Sequence, residues 1–313
     1  MDPQVLISMV QIGLIYTILS VPLTLSYKST KIINFVHINF ITYGAYAGVL
    51  LATIGGVDNF FFAALLAFLV GGGISVLDNV AVFEPLRRRG ANVVILMIAS
   101  MGLWIFYKYL MYSILDVISR LARINLISQL VRFEAFPTIH LGRVIISNTL
   151  ITSAVTVAVV MGGLYLILEK TALGKAIRAV ADNPTLSEIS GIPRGRVLNY
   201  MWFLAGGMAA VGGLLWVTFS IATPEVGDTL ILEVFAIAVI GGLYSLTWTT
   251  AGAFIIATAE TVGMALLNQY LGVPTSFKPF ITFSTLLIVI IAFPPMGAGG
   301  GLPYRYLRRG GKK

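Results

Sequence analysis

Long stretches of apolar residues recur along this chain, and they restrict its fold more than any other feature. They cover residues 5–26, 32–54, 60–82, 92–112, 144–168, 197–221, 230–246, 250–267 and 279–293. A helix that crosses the roughly 30 Å hydrocarbon core of a bilayer needs about 20 such residues. Charged residues make up only 11% of the chain, whereas about 25% is usual in soluble proteins. The sequence therefore predicts an all-α integral membrane protein, a polytopic helical bundle.

The number of spans is predicted as eight or nine. Residues 230–246 and 250–267 are joined by YSLTWTT (244–250), which carries no charge. They form either two full spans or a broken, re-entrant pair. We expect residues 1–300 to form a single transmembrane domain, followed by a basic cytosolic tail at 301–313.

The basic residues predict the orientation. With the N-terminus outside and the C-terminus in the cytosol, fifteen of the 21 Lys and Arg residues fall inside and five outside, with Lys108 in a span. Such a bias is typical of cytosolic loops. The formal net charge of +8 is thereby explained by topology and does not indicate a nucleic-acid surface.

The longest predicted cytosolic loop, 169–196, contains a short capped helix. Asn183 is a favourable N-cap, Pro184 suits the first helical position, and Gly191 suits the position after the end. Leu186 and Ile189 lie on one side of this helix of about two turns. Because a helix this short is unstable alone in water, we expect it to pack on the chain's own membrane domain or on another protein.

A second insert, 113–143, is predicted outside the membrane. Within it, residues 116–131 are weakly amphipathic and are expected to lie flat at the interface. The insert is interpreted either as a docking surface for an external binding protein or as an interfacial lid.

Ionisable residues inside spans are functional candidates because they are costly to bury in lipid. Glu260 is predicted near the middle of a span, where it either pairs helices or lines a substrate route. Asp78, Lys108 and Glu233 are expected nearer span ends, with their charges reaching the interface. His37 is predicted to be a helix-packing hydrogen-bond partner.

Several classes of function are disfavoured by missing motifs. The chain has no Cys and only two His, which argues against a Cys- or His-ligated zinc site. The Gly174–Lys175 pair is followed by Ala176 and does not form a P-loop. Neither HExxH nor GxSxG occurs. We therefore expect no enzyme activity and no cofactor on this chain.

Taken in order, several blocks resemble the branched-chain amino acid permease family of ABC importers. The blocks are NFVHINFITYGAY (34–46), EPLRRRG (84–90), MIASMGL (97–103), TALGKAIRAVADN (171–183), FLAGGMAAVGGLL (203–215) and IAVIGGLYS (237–245). The chain departs from the family at Ile38 and Asn39, where Gly and Glu are usual, and at Glu84 and Glu233. These departures leave the substrate open between branched-chain or other hydrophobic amino acids and urea or short amides.

The resemblance implies a permease subunit in the cell membrane, with ATP bound by other subunits. Its implied partners are a second permease subunit, homologous or identical, two cytosolic ATPases, an extracytosolic substrate-binding protein and membrane lipid. The short helix of the 169–196 loop corresponds to the coupling element, with candidate residues Asn183, Pro184, Leu186, Glu188, Ile189 and Gly191. Candidates for the translocation path are Asn34, His37, Asn39, Gly241, Gly242 and Glu260.

Two other readings remain open at this point. An ion-coupled secondary carrier would explain Glu260, Glu233 and a broken helix pair. A membrane enzyme would need an assembled catalytic set, which the motifs do not supply.

Overall fold

The computed structural model describes residues 3–133, 135–141 and 144–292, which are almost entirely helical. Two short strands, β1 and β2, pair antiparallel between the fifth and sixth helices. The elements in chain order are α1 (Pro3–Thr30), α2 (His37–Thr53), α3 (Phe60–Asp78), a π-helical turn (Asn79–Phe83), α4 (Glu84–Arg88), α5 (Val93–Ala122), β1 (Ile139–Leu141), β2 (Val144–Ile146), α6 (Asn148–Lys170), α7 (Ala172–Asp182), α8 (Pro184–Ile189), α9 (Arg194–Val217), α10 (Val226–Thr229), α11 (Ile231–Ile240), α12 (Leu246–Thr258), a second π-helical turn (Ala259–Gly263), α13 (Met264–Leu271), a 3-10 turn (Thr275–Phe277) and α14 (Lys278–Ala292). The predicted all-helical membrane fold is confirmed. The basic tail 301–313 lies outside the described residues.

Seven continuous helices in the described part are long and apolar enough to cross a membrane. They are Pro3–Thr30, Phe60–Arg88, Val93–Ala122, Asn148–Lys170, Arg194–Val217, Leu246–Leu271 and Thr275–Ala292. Of the remaining predicted spans, α2 has 17 residues and α11 only 10. The count of eight or nine spans, like the orientation, therefore stays a prediction.

The bundle has two ends that differ in charge. What we call the basic end carries Lys28, Arg87 to Arg89 and the loop 169–196. Tyr244 lies there too. Its ring packs edge-on against Tyr27, with 5.6 Å between the ring centroids, and the Lys31 Nζ lies 4.3 Å from the Tyr244 ring centroid. What we call the opposite end carries residues 54–59, 123–133, 135–141 and 144–147; Gln4 at the start of α1 donates to the Ile145 carbonyl there.

α1 and α9 form the centre of the bundle and are the most buried of its long helices. α9 runs antiparallel to α3, since Gly71 contacts Ala210 while Asn79 bonds Asn199. α2 crosses α9 at Gly44, where an added Cβ would lie 2.1 Å from the Ala210 carbonyl oxygen. Without a hydrophobic driving force between helices in lipid, such close approach of backbones is a main source of association. Gly48, one turn later, faces α9 as well, because its added Cβ would lie 2.2 Å from Leu214 Cδ1.

α2 begins inside the bundle instead of at its edge. The Nε2 of His37, its first residue, bonds the Leu19 carbonyl at 2.9 Å, near the middle of α1. Residues 31–36 lead to this point without helical structure. Side chains satisfy their backbone: Phe35 N–H donates to Ser100 Oγ and Val36 N–H to Asn34 Oδ1.

The expected interfacial helix at 116–131 is wrong. α5 continues straight through 116–122 and ends at Arg123, whose φ of 56° is left-handed. An Asp116–Arg120 pair at 2.8 Å, one turn apart, supports the added turns. Residues 124–131 follow without helix.

Candidate functional site

The loop of the basic end folds as two helices packed on the bundle. Thr171 caps α7 by accepting from the Gly174 N–H at 3.1 Å. Ile177 and Val180 on α7 are buried, and Arg178 bonds the Leu168 carbonyl at the end of α6. α7 thus holds the start of α8 in a fixed place.

α8 has the boundaries and caps that the sequence predicts. Asn183 Oδ1 accepts from the Leu186 N–H at 3.0 Å, and Pro184 is the first helical residue. Gly191 follows the helix with a φ of +83°, a conformation that a Cβ disfavours. The predicted capped helix is confirmed.

The outer face of α8 is apolar, and no described part of the chain covers it. Leu186 is 58% exposed and Ile189 80% exposed. Glu188 reaches back to Arg194 at 3.7 Å. The candidate coupling residues therefore come together as one small projecting surface.

The candidate path residues of the α1–α2 connection also lie together, in the interior. Asn34, His37 and Asn39 are at most 4% exposed. Asn39 Nδ2 donates to the Trp104 carbonyl of α5 at 2.9 Å. His37 bonds α1, which confirms its predicted packing role, while its Nδ1 and the Asn34 Nδ2 have no partner in the described structure.

Glu260 lies inside the π-helical turn that follows α12. Tyr16 of α1 donates to its Oε2 at 2.7 Å, and Thr282 of α14 donates to its Oε1. The predicted pairing of helices by Glu260 is therefore present. π-helical turns within helices are frequent at functional sites, but the place of Glu260 in a substrate route stays a prediction.

Gly241 and Gly242 form the tight turn between α11 and α12, at the basic end and away from Glu260. A Cβ on Gly241 would lie 2.2 Å from Thr249 Oγ1, and Gly242 has a φ of +66°. Packing and backbone geometry alone require these glycines. Their place in a translocation path also stays a prediction.

The expectation that Asp78 and Glu233 reach the membrane interface is wrong. Asp78 is 2% exposed and Glu233 9%. Tyr107 of α5 donates to Asp78 Oδ1 at 2.6 Å, whereas Asp78 Oδ2 and Glu233 Oε2 find no donor in the described structure. Span position alone misplaces such residues because it ignores which helix face turns inward.

Sequence reasoning missed an ionic cluster around Lys108. Its Nζ lies 2.8 Å from Asp228 Oδ2 and 3.1 Å from Glu225 Oε1, and Trp104 Nε1 donates to Asp228 Oδ1 at 2.7 Å. The hydrogen bond from Lys108 holds the pKa of the Glu225 carboxyl below its ordinary value. The cluster fastens α5 to α10. The sequence pattern that could have predicted this cluster is the four-residue spacing of Trp104 and Lys108, which places both side chains on one helix face.

The described residues hold no group of three or more His, Asp or Glu side chains arranged to bind a metal ion. The buried His37 and Glu260 side chains described above form hydrogen bonds between helices instead.

Comparison with known proteins agrees with this architecture. The family model described as "Branched-chain amino acid transport system / permease component" matches residues 5–292. A Methanocaldococcus jannaschii protein named as a probable branched-chain amino acid transport permease LivH is 28% identical over 294 residues, covering 93% of this chain and 90% of the relative.

Two further relatives differ in how much of the chain they match. The Pseudomonas aeruginosa high-affinity branched-chain amino acid transport permease BraD is 25% identical, covering 95% of both chains. The Bifidobacterium longum fructose import permease FruF is 32% identical but covers only 44% of this chain and 38% of its own length. Of these relatives, the two amino acid permeases match over nearly the full length.

Such permeases are membrane components of transporters and not enzymes, and the apolar helices place this chain in the cell membrane as a multi-pass protein. The match from residue 5 to residue 292 includes the buried α1–α2 connection, the loop with α8 and the helix that carries Glu260. The chain therefore belongs to the family of permease components of branched-chain amino acid transport systems.

Proposed function

We propose that this chain is the permease subunit of an ABC importer that moves branched-chain amino acids across the cytoplasmic membrane. In this proposal two permease subunits alternate between outward and inward access. Two cytosolic ATPases bind and hydrolyse ATP, and an extracytosolic binding protein delivers the substrate. The basic end then faces the cytosol.

The observation that carries the proposal is the uncovered apolar face of α8. Leu186 and Ile189 project from the basic end, and exposing such side chains to water is unfavourable. A cytosolic subunit with an apolar recess would cover both. The short helix, held by α7 and by its own caps, would then transmit movement of the ATPases to α9.

Amino acids as the substrate are supported by the relatives and by the interior. LivH and BraD are named as branched-chain amino acid permeases. The buried path candidates Asn34, His37 and Asn39 supply polar groups but no carboxylate or ammonium of their own. We propose that they line the route and that hydrophobic side chains of the substrate pass among the apolar residues around them.

The large apolar surface of α5 supports a paired permease. Ile98, Phe106 and Tyr109 are each more than half exposed, and such a surface fits either lipid or a second subunit. The opposite end, defined above, is the place where the external binding protein would dock.

The test is leucine uptake by proteoliposomes that contain the complete transporter and enclose ATP. The double variant Leu186→Asp, Ile189→Asp should insert normally yet lose uptake, because two charges would enter an apolar recess. The double variant Leu186→Met, Ile189→Met is the matched control, since it changes the same two exposed positions but keeps both side chains apolar. Unchanged uptake by the double variant would refute the coupling role of α8.

Two further arms separate the alternatives. Excess isoleucine or valine should compete with leucine, whereas urea should not. Uptake should require ATP and should keep the same pH dependence in Glu260→Gln. Uptake that runs on an ion gradient without ATP, and that changes its pH dependence in this variant, would instead identify a secondary carrier.

A further inference from the structure

An open groove of about 670 Å³ lies beside α8 at the basic end. Its charged side chains come from α4 on one wall and from the α8–α9 connection on the other. They are Glu84, Arg87, Arg88, Glu188, Arg194 and Arg196. Four arginines against two glutamates leave the groove with an excess positive charge.

Both glutamates already form ion pairs with arginines of the groove. Glu84 pairs with Arg87 at 3.3 Å and with Arg88 at 3.0 Å, and Glu188 pairs with Arg194 at 3.7 Å. Arg196 is exposed, and none of the ion pairs in the described structure involves it. The groove therefore favours an occupant that carries negative charge.

Arg87 differs from the other arginines because it joins the groove to the membrane helices. Its guanidinium donates to Asn79 Oδ1, in the π-helical turn at the end of α3. Asn79 Nδ2 in turn donates to Asn199 Oδ1 of α9 at 2.6 Å. The Arg87 side chain is only 12% exposed, and its Nε is buried without a partner in the described residues.

We propose that this groove is a second docking site for the partner ATPase, that it receives an acidic segment of that subunit, and that Arg87 links the contact to α3 and α9. The proposal rests on the proposed function, since it assumes that an ATPase seats on α8. It adds a contact outside α8 and a route into the helices that pass through the bundle.

Continuity favours an ATPase segment over a lipid headgroup as the occupant. Glu188 belongs to α8 itself, and Gly191 to Arg196 continue directly from it along the groove wall. A subunit that covers Ile189 would thus reach the groove without a gap. Arginine also suits this contact, because its planar guanidinium pairs with a carboxylate through two hydrogen bonds.

Cysteine labelling tests the docking. The chain has no native Cys, so single variants report single positions. Arg88→Cys probes the α4 wall of the groove, Ile189→Cys probes α8, and Ile54→Cys at the opposite end is the control. Each variant is labelled with a thiol reagent in vesicles of phosphatidylcholine alone and in vesicles of phosphatidylcholine with phosphatidylglycerol, with and without the coexpressed ATPase subunits.

The proposal expects the ATPase to protect the thiols introduced at positions 88 and 189 but not the thiol at position 54. Protection of position 189 alone would overturn the groove proposal and leave the proposed function standing. Protection of neither would overturn both. Protection of position 88 by the anionic lipid without the ATPase would identify a lipid headgroup as the occupant and also overturn the groove proposal.

Substitutions test the link through Arg87. Arg87→Gln should lower leucine uptake about ten-fold, the loss expected for one hydrogen bond to a charged group, and Arg87→Lys should restore part of it. Arg89→Gln is the control, because it removes an exposed charge two residues away and outside the groove. Equal uptake by Arg87→Gln and Arg89→Gln would overturn the proposal.

Asn199→Ala separates transmission from docking. It breaks the bond to Asn79 on the membrane side and leaves the groove walls unchanged. We expect normal ATPase binding and ATP hydrolysis but less leucine moved per ATP. An unchanged ratio of leucine to ATP would refute the route through Asn79 and Asn199.

Discussion

Single buried polar residues of this permease act mainly by joining helices. Glu260 accepts from α1 and α14, His37 bonds the backbone of α1, and Asn39 bonds the backbone of α5. Each would be expensive to leave unpaired in a membrane interior. At this scale the buried polar side chains hold the bundle together.

The hydrogen bond from Tyr16 to Glu260 gives a direct measure of this joining. Tyr16→Phe removes the donor and keeps the ring, so we expect a loss of about 1–3 kcal/mol in the free energy of unfolding. Thermal unfolding of the purified protein in detergent measures it. Tyr109→Phe is the control, since Tyr109 is 64% exposed. Equal melting temperatures for both variants would contradict the prediction.

Gly44 tests close packing instead of hydrogen bonding. Its missing side chain lets α2 touch the α9 backbone at Ala210, and overpacking a tight contact typically costs about 1–3 kcal/mol or more. Gly44→Leu should therefore lower the yield of monodisperse protein in size-exclusion chromatography. Gly162→Leu should not, because no atom lies within 4 Å of its added Cβ.

At the scale of elements, the short α8 depends on its caps more than the long helices do. A six-residue helix has few internal hydrogen bonds, so the bond that the Leu186 N–H donates to Asn183 Oδ1 is a large share of its stability. α5, with 30 residues, has an equivalent cap in Asn92, which accepts from the Ile95 N–H at 2.9 Å. The two caps therefore form a natural comparison.

Asn183→Ala should loosen α8 by about 1 kcal/mol and lower ATP-dependent leucine uptake without changing membrane insertion. Asn183→Ser should restore uptake, because Ser is also a good N-cap. Asn92→Ala removes the same type of side-chain cap from α5 and should leave uptake nearly unchanged. Equal losses in both alanine variants would mean that uptake does not depend on α8 in particular.

At the scale of the whole molecule, composition and periodicity predict the class of fold well. Span length and low charge identified the membrane bundle, and cap residues identified α8, because both signals are local. The depth of α2, the shortness of α11 and the inward faces of Asp78 and Glu233 depend on tertiary contacts. The same holds for the Lys108 cluster, whose carboxylates come from a distant part of the chain.

The orientation of the whole molecule is the prediction that follows from its basic end. Ile189→Cys and Ile54→Cys lie at opposite ends of the bundle, and both native side chains are exposed. In intact cells that produce this chain without the ATPase subunits, a membrane-impermeant maleimide should label position 54 and should reach position 189 only after permeabilisation. The reverse pattern would contradict an N-terminus outside and a cytosolic basic end.

The start of α2 in the middle of the bundle has a mechanical consequence. Residues 31–36 are held by side chains such as Ser100 and Asn34 and not by a helical ladder. Isolated hydrogen bonds of this kind can break one at a time. A helix resists bending because many backbone hydrogen bonds act together. A joint without a helical ladder therefore lies at half the depth of α1, where a small rotation would tilt all of α2 as a lever.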